Sequence, residues 1–177
     1  MPFGLSIGRS SKLEIDIVGD REFARELFGL YTRAMNMQPV MEEVIDFLRE
    51  NVRQAYFSKG ARGGNIWKPL NEAYVRWKLK KGLDPRIMLA THDLYNSLAH
   101  TTSDSIAETD EDSLKFGSKA MTKPKRGKAK SKLALHQSRK PRKKLPRRAP
   151  VDLTMLDKQE IVGMFRDHIV GLRRAAL

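Results

Sequence analysis

The chain has 177 residues, 40% apolar and 31% charged, with 34 Lys and Arg against 21 Asp and Glu and a formal charge of +13. That length fits one domain, or one domain with an extension. The absence of cysteine excludes disulfides and thiolate-held zinc or iron–sulfur sites and fits a reducing compartment.

Residues 1–11 lack the basic and apolar regions of a secretory leader, and Gly4, Ser6, Gly8, Ser10 and Ser11 read as a flexible lead-in. A single domain is expected over 12–177. Residues 12–18 alternate Leu13, Ile15 and Ile17 with Lys12, Glu14 and Asp16, the period-two pattern of a half-buried strand. Asp20 is placed to cap a helix bearing Phe23, Leu27, Leu30, Tyr31 and Ala34. Pro39 predicts a break at 36–38. The second helix carries Met41, Val44, Ile45, Leu48, Val52, Ala55 and Tyr56 on one stripe.

Residues 58–65 hold three glycines in five positions and read as a loop. An extended stretch, 66–70, leads to Asn71, the cap of a helix that Gly82 ends. Tyr74, Val75 and Leu79 supply its apolar positions. Thr91 is expected to cap a short helix over 93–98. Strands follow at 101–109 and 113–118, turning at 110–112. A last helix starts at Thr154, with Met155, Leu156, Ile161, Phe165, Ile169 and Leu172 on its apolar side. No apolar run nears the roughly 20 residues that cross a bilayer. The strands are grouped, not alternating with helices. The expected fold is α+β: a small antiparallel sheet packed with long N-terminal helices and a C-terminal helix, plus a basic extended loop.

That loop, at about 119–148, holds fourteen of the 34 basic residues and none of the 21 acidic ones. The rest of the chain is close to neutral. Lys123, Lys125, Arg126, Lys128, Lys130, Arg139, Lys140, Arg142, Lys143 and Lys144 are interleaved with Pro and Gly. Such a stretch buries too little apolar area to order itself; only 133–135 looks foldable. It can neutralise phosphates without reading sequence, dock on an acidic protein, or remain a solvated loop.

No constellation for catalysis stands out. His92, His100, His136 and His168 lack metal-ligand spacing. Asp93 beside His92 reads as a first-turn acid that suits the helix dipole. The glycines of 60–64 lack the Gly-Lys-Ser/Thr of a phosphate cradle, and Asp110, Glu111 and Asp112 read as a solvated turn. Trp67 and Trp77 could stack on bases, but their spacing favours anchoring a helix to the core. No cofactor or metal is implied.

From Phe57 onward the motifs form an ordered series: a glycine-rich loop, Trp67-Lys68-Pro69-Leu70, Leu89, Thr91, Leu94 and Ser97, a strand with Gly117, His136-Gln137, then Pro146 and Arg148. This series resembles the Mu-like virion morphogenesis proteins of tailed phages, also described as tail completion or neck proteins. The family's Thr-Gly is Thr91-His92 here, and its aromatic-Gly after His-Gln is Ser138-Arg139. In structural terms Trp67 and Leu70 would seat a helix, Thr91 would cap one, and Gly117 would allow a tight strand end. The resemblance implies a structural, non-enzymatic virion component, assembled in the host cytoplasm. It implies a ring of about six copies at the head–tail junction, between the head connector (stopper) and the tail terminator, with genomic DNA in the channel and no membrane partner. Competing readings are a non-specific nucleic-acid-binding protein using 119–148, a tail terminator or minor tail protein, and, least, an enzyme.

Overall fold

The structure is a computed structural model and describes residues 21–110, 113–122, 127–138 and 146–172. The expected strand at 12–18 and the Asp20 cap lie outside these residues. Helix α1 (Arg21–Met35) ends where the Asn36 amide donates to the carbonyls of Thr32 and Arg33. Helix α2 (Gln38–Phe57) follows at once. Pro39 falls in its first turn, where an N–H would have no intrahelical partner. The break is therefore confined to Asn36 and Met37.

The apolar stripe of α2 is the spine of the core. Met41, Val44, Ile45, Leu48, Val52 and Ala55 are buried, together with Val40. Val52 meets Leu94, Leu98 and Ala99, and Tyr56, Tyr95, Phe116, Leu133 and Val151 close around them. Leu94, Leu98 and Ala99 come from helix α4 (Asp93–Ala99). Strands β1 (Ser105–Thr109) and β2 (Leu114–Ser118) pair antiparallel, with Ser105 opposite Ser118 and Thr109 opposite Leu114. The first strand is shorter than expected because Ser105 organises the residues before it. Its hydroxyl accepts from the Thr102 amide at 2.9 Å and donates to the His100 carbonyl at 2.9 Å, which makes 101–104 a turn.

The 58–65 loop is more ordered than its glycines suggest. It contains a 3-10 turn at Ala61–Gly63, entered and left through Gly60 and Gly64 at positive φ. Helix α3 (Glu72–Lys80) starts where Asn71 Oδ1 accepts from the Ala73 amide at 2.8 Å. Its expected apolar face does not reach the core: Tyr74, Trp77 and Leu79 are exposed. Trp67 is buried as expected, but Trp77 stacks on Tyr74, with centroids 5.4 Å apart, and does not anchor α3.

Parts of the 119–148 stretch are built into the body. Ala120 and Arg148 are buried, Met121 bridges to Ser131, and helix α5 (Lys132–Gln137) packs beside β2. Helix α6 (Met155–Val170) opens with a capping box between Thr154 and Asp157. It packs on α1 and α2. Arg33 Nε donates to the Ile169 carbonyl at 2.8 Å, and His168 Nε2 to that of Asn36 at 2.8 Å. These polar ties hold α1, none of whose residues is buried.

Candidate functional site

The motif residues scattered from 69 to 148 converge on one groove of about 940 Å³. Pro69 and Leu70 come from the extended stretch before α3, Thr91 and Leu94 from the start of α4, His136 from α5, and Pro146 and Arg148 from the stretch after it. Trp67 lies behind this wall. Its ring meets Tyr56 edge-on at 5.2 Å, and its amide donates to the Lys59 carbonyl at 2.8 Å. Gly60 makes room for it: a Cβ there would stand 2.4 Å from Trp67 Cδ1. Gln137 Nε2 donates to the Val151 carbonyl, which ties α5 to the chain leading into α6.

Two expected roles are corrected. His92, not Thr91, is the cap of α4, and its side chain makes no cap bond. Thr91 Oγ1 instead donates to Asp93 Oδ2 at 2.8 Å, drawn by the carboxylate that also takes Lys132 Nζ at 2.5 Å. His92 adopts φ +57, a left-handed conformation that Gly tolerates best. Its Nε2 lies 3.0 Å from Asp84 Oδ2. Gly117 is not at a tight strand end. It lies inside β2 opposite Ile106, and a Cβ would find ordinary contacts at 3.8 Å.

The electrostatics of the groove are one-sided. Among the described residues, Lys68, Lys78, Lys132 and Arg148 line it, and no Asp or Glu does. Lys78 is 1% exposed and Arg148 5%. Lys78 Nζ donates to the Arg86 carbonyl at 2.6 Å. Arg148 donates from Nε and Nη2 to the Lys68 carbonyl at 3.0 and 2.7 Å. Burial lowers the pKa of both, and for Lys78 the nearby Arg148 charge acts in the same direction while Asp84 opposes it. Sequence reasoning missed Lys78 and Lys132. The available signal for Lys78 was its place one turn after Tyr74, on what was read as an apolar helix face.

Of the ten basic contact candidates, Lys128 and Lys130 are described, and both are exposed. The Lys130 backbone pairs with Thr122: the Thr122 amide donates to its carbonyl at 2.8 Å, and its amide to Thr122 Oγ1 at 3.0 Å. Lys123, Lys125, Arg126, Arg139, Lys140, Arg142, Lys143 and Lys144 lie outside the described residues. Among the described residues no three His, Asp or Glu come together as metal ligands, and no helix is long and apolar enough to cross a membrane.

The groove's wall is thus built from the ordered motifs, and the profile of the phage virion morphogenesis family matches residues 18–170. The chain belongs to the phage virion morphogenesis family. Neither a curated protein nor a solved structure matches it. In this family member Pro69, Leu70, Thr91, Leu94, His136, Pro146 and Arg148 line the groove, and Gln137 ties α5 to the chain leading into α6.

Proposed function

We propose that this virion morphogenesis protein is a tail completion, or neck, protein. Its copies close into a ring at the head–tail junction, with the head connector on one face and the tail terminator on the other. The role is architectural. The single observation that carries this reading is the apolar surface left uncovered on the isolated subunit. Phe28 on α1 is 67% exposed, Phe57 at the end of α2 93%, Ile66 80%, and Leu156 on α6 75%. Large apolar side chains left in water are candidate contact surface where they come together in patches. They sit on different elements, which suits heterologous contacts that repeat head to tail and close.

Mixing the purified chain with its head connector, followed by electron microscopy, tests the reading. Rings that disappear in Phe28→Asp and Leu156→Asp variants support it. Monodisperse monomers that ignore the connector count against it. The nucleic-acid reading is separated by salt: a dedicated binder loses duplex affinity steeply as salt rises, whereas a ring held by apolar contacts does not.

A further inference from the structure

The groove contains two buried cations: Lys78 and Arg148 donate to backbone carbonyls, and Lys78 Nζ also lies 6.0 Å from the centre of the Tyr74 ring. Neither forms an ion pair with a carboxylate of the described residues. The nearby carboxylates are engaged elsewhere: Asp84 with Arg86 and His92, Asp93 with Lys132 and Thr91. Lys68, exposed at the rim, also has no ionic partner among the described residues. Buried charge of one sign is costly unless an opposite charge comes to it. Leu70, Met88, Ala90 and Leu94 give the lining an apolar part, beside polar Asn71, Thr91, Thr122 and His136. An occupant therefore needs carboxylates spaced among aliphatic side chains. A groove of this size takes a few side chains and does not admit the stiff rod of a DNA duplex.

The chain itself carries such a segment. Residues 12–20 read Lys-Leu-Glu-Ile-Asp-Ile-Val-Gly-Asp. Glu14 and Asp16 alternate with Leu13, Ile15 and Ile17, so an extended segment shows carboxylates on one face and aliphatics on the other. The segment leads into α1, which packs on α6, and neither helix lines the groove. Nine residues extend roughly 30 Å, enough to leave one subunit and enter another.

We propose that the groove of one copy takes residues 12–20 of the next copy, with Glu14 and Asp16 set against Lys78, Arg148 and Lys68. The contact joins two different surfaces, so it is heterologous and propagates around an assembly. It rests on the reading of the chain as a self-assembling subunit and names the partner surface.

The test uses an acetylated, fluorescein-labelled peptide of residues 12–20 and the intact chain at concentrations where it is monomeric. Saturable binding by anisotropy is expected. It should weaken about tenfold when Glu14 and Asp16 of the peptide become Gln and Asn, and again in a Lys68→Glu chain whose circular dichroism is unchanged. No saturable binding, equal binding of the amide peptide, or displacement by duplex DNA at lower concentration than by unlabelled peptide overturns the proposal. The chain has no cysteine, so a second arm is clean. Ile17→Cys and Ala90→Cys chains, mixed and oxidised in the presence of the connector, should give a covalent heterodimer that excess peptide suppresses. A disulfide that forms only when both cysteines share one chain overturns it. Rings without this cross-link would defeat the groove contact and leave the neck reading standing. The cross-link without closed rings would do the reverse.

Discussion

Asp157 joins the glycine-rich turn to α6. Arg62 grips it bidentately, Nη2 to Oδ1 at 2.7 Å and Nη1 to Oδ2 at 3.0 Å, while the Thr154 amide and hydroxyl both donate to Oδ2 at 2.8 Å. The Arg62 guanidinium, helped by Thr154 and opposed by burial, holds the carboxyl down from 3.8 to about 2. A folded-state pKa below the unfolded one means stability that is present above the unfolded value and lost as pH falls toward about 2. Asp84, held to about 2 chiefly by Arg86, titrates in the same window and sense, but its partner is exposed. Asp157→Asn should therefore cost about 2 kcal/mol at neutral pH in urea unfolding. The deficit should shrink as pH falls from 4 toward 2. A deficit unchanged by acid would point to lost packing instead.

Two glycines separate strain from crowding. Gly60 and Gly64 both have positive φ, +84 and +72. At Gly60 a Cβ would also lie 2.3 Å from the Asn65 carbonyl oxygen, whereas at Gly64 nothing lies within 4 Å. Gly64→Ala should cost about 1 kcal/mol, the left-handed penalty alone. Gly60→Ala should cost about 3 kcal/mol or more, because the backbone and Trp67 must also move. Thermal or urea unfolding of the pair gives the comparison.

At the scale of elements, α2 carries the fold and α1 is positioned by a few polar ties. Leu98 is fully buried against Val52, so Leu98→Ala should cost about 3 kcal/mol in unfolding free energy. Phe28→Asp should change monomer stability by less than about 0.5 kcal/mol, since the side chain is already in water. If subunit contacts use α1, it should nonetheless impair assembly, as sedimentation would show. A large loss of monomer stability would mean that Phe28 is covered within the subunit. The α2 stripe was legible because seven apolar residues recur at helical spacing and all face one core. The capped starts of α3 and α6 were legible because Asn71 and Thr154 bond to their own helices. Thr91 misled because a carboxylate two residues on competes for its hydroxyl. Trp77 misled because local spacing does not show which side of α3 meets the core. The groove could not be read as a site, since it exists only once residues from 68 to 148 meet in space.

At the scale of the molecule, a near-neutral body holds Ala120, α5 and Arg148 in place and carries the basic runs between them. The buried cations of the groove already bind backbone carbonyls, so they contribute little to counterion release. Whatever DNA affinity the chain has should reside in the runs 123–130 and 139–144 and should vanish when their Lys and Arg become Ser. Filter binding across a salt series checks this, and the body should remain folded by circular dichroism. In the proposed ring, contacts through exposed apolar surface should tolerate salt, whereas the charged contact of residues 12–20 with the groove should weaken as salt rises.

Cryo-electron microscopy of the mature phage particle tests the neck assignment most directly. One ring of this subunit is expected at the head–tail junction, each copy bridging connector and terminator, with density for residues 12–20 in the groove of its neighbour. A particle whose junction contains no such ring, or whose copies of this chain lie elsewhere, contradicts it.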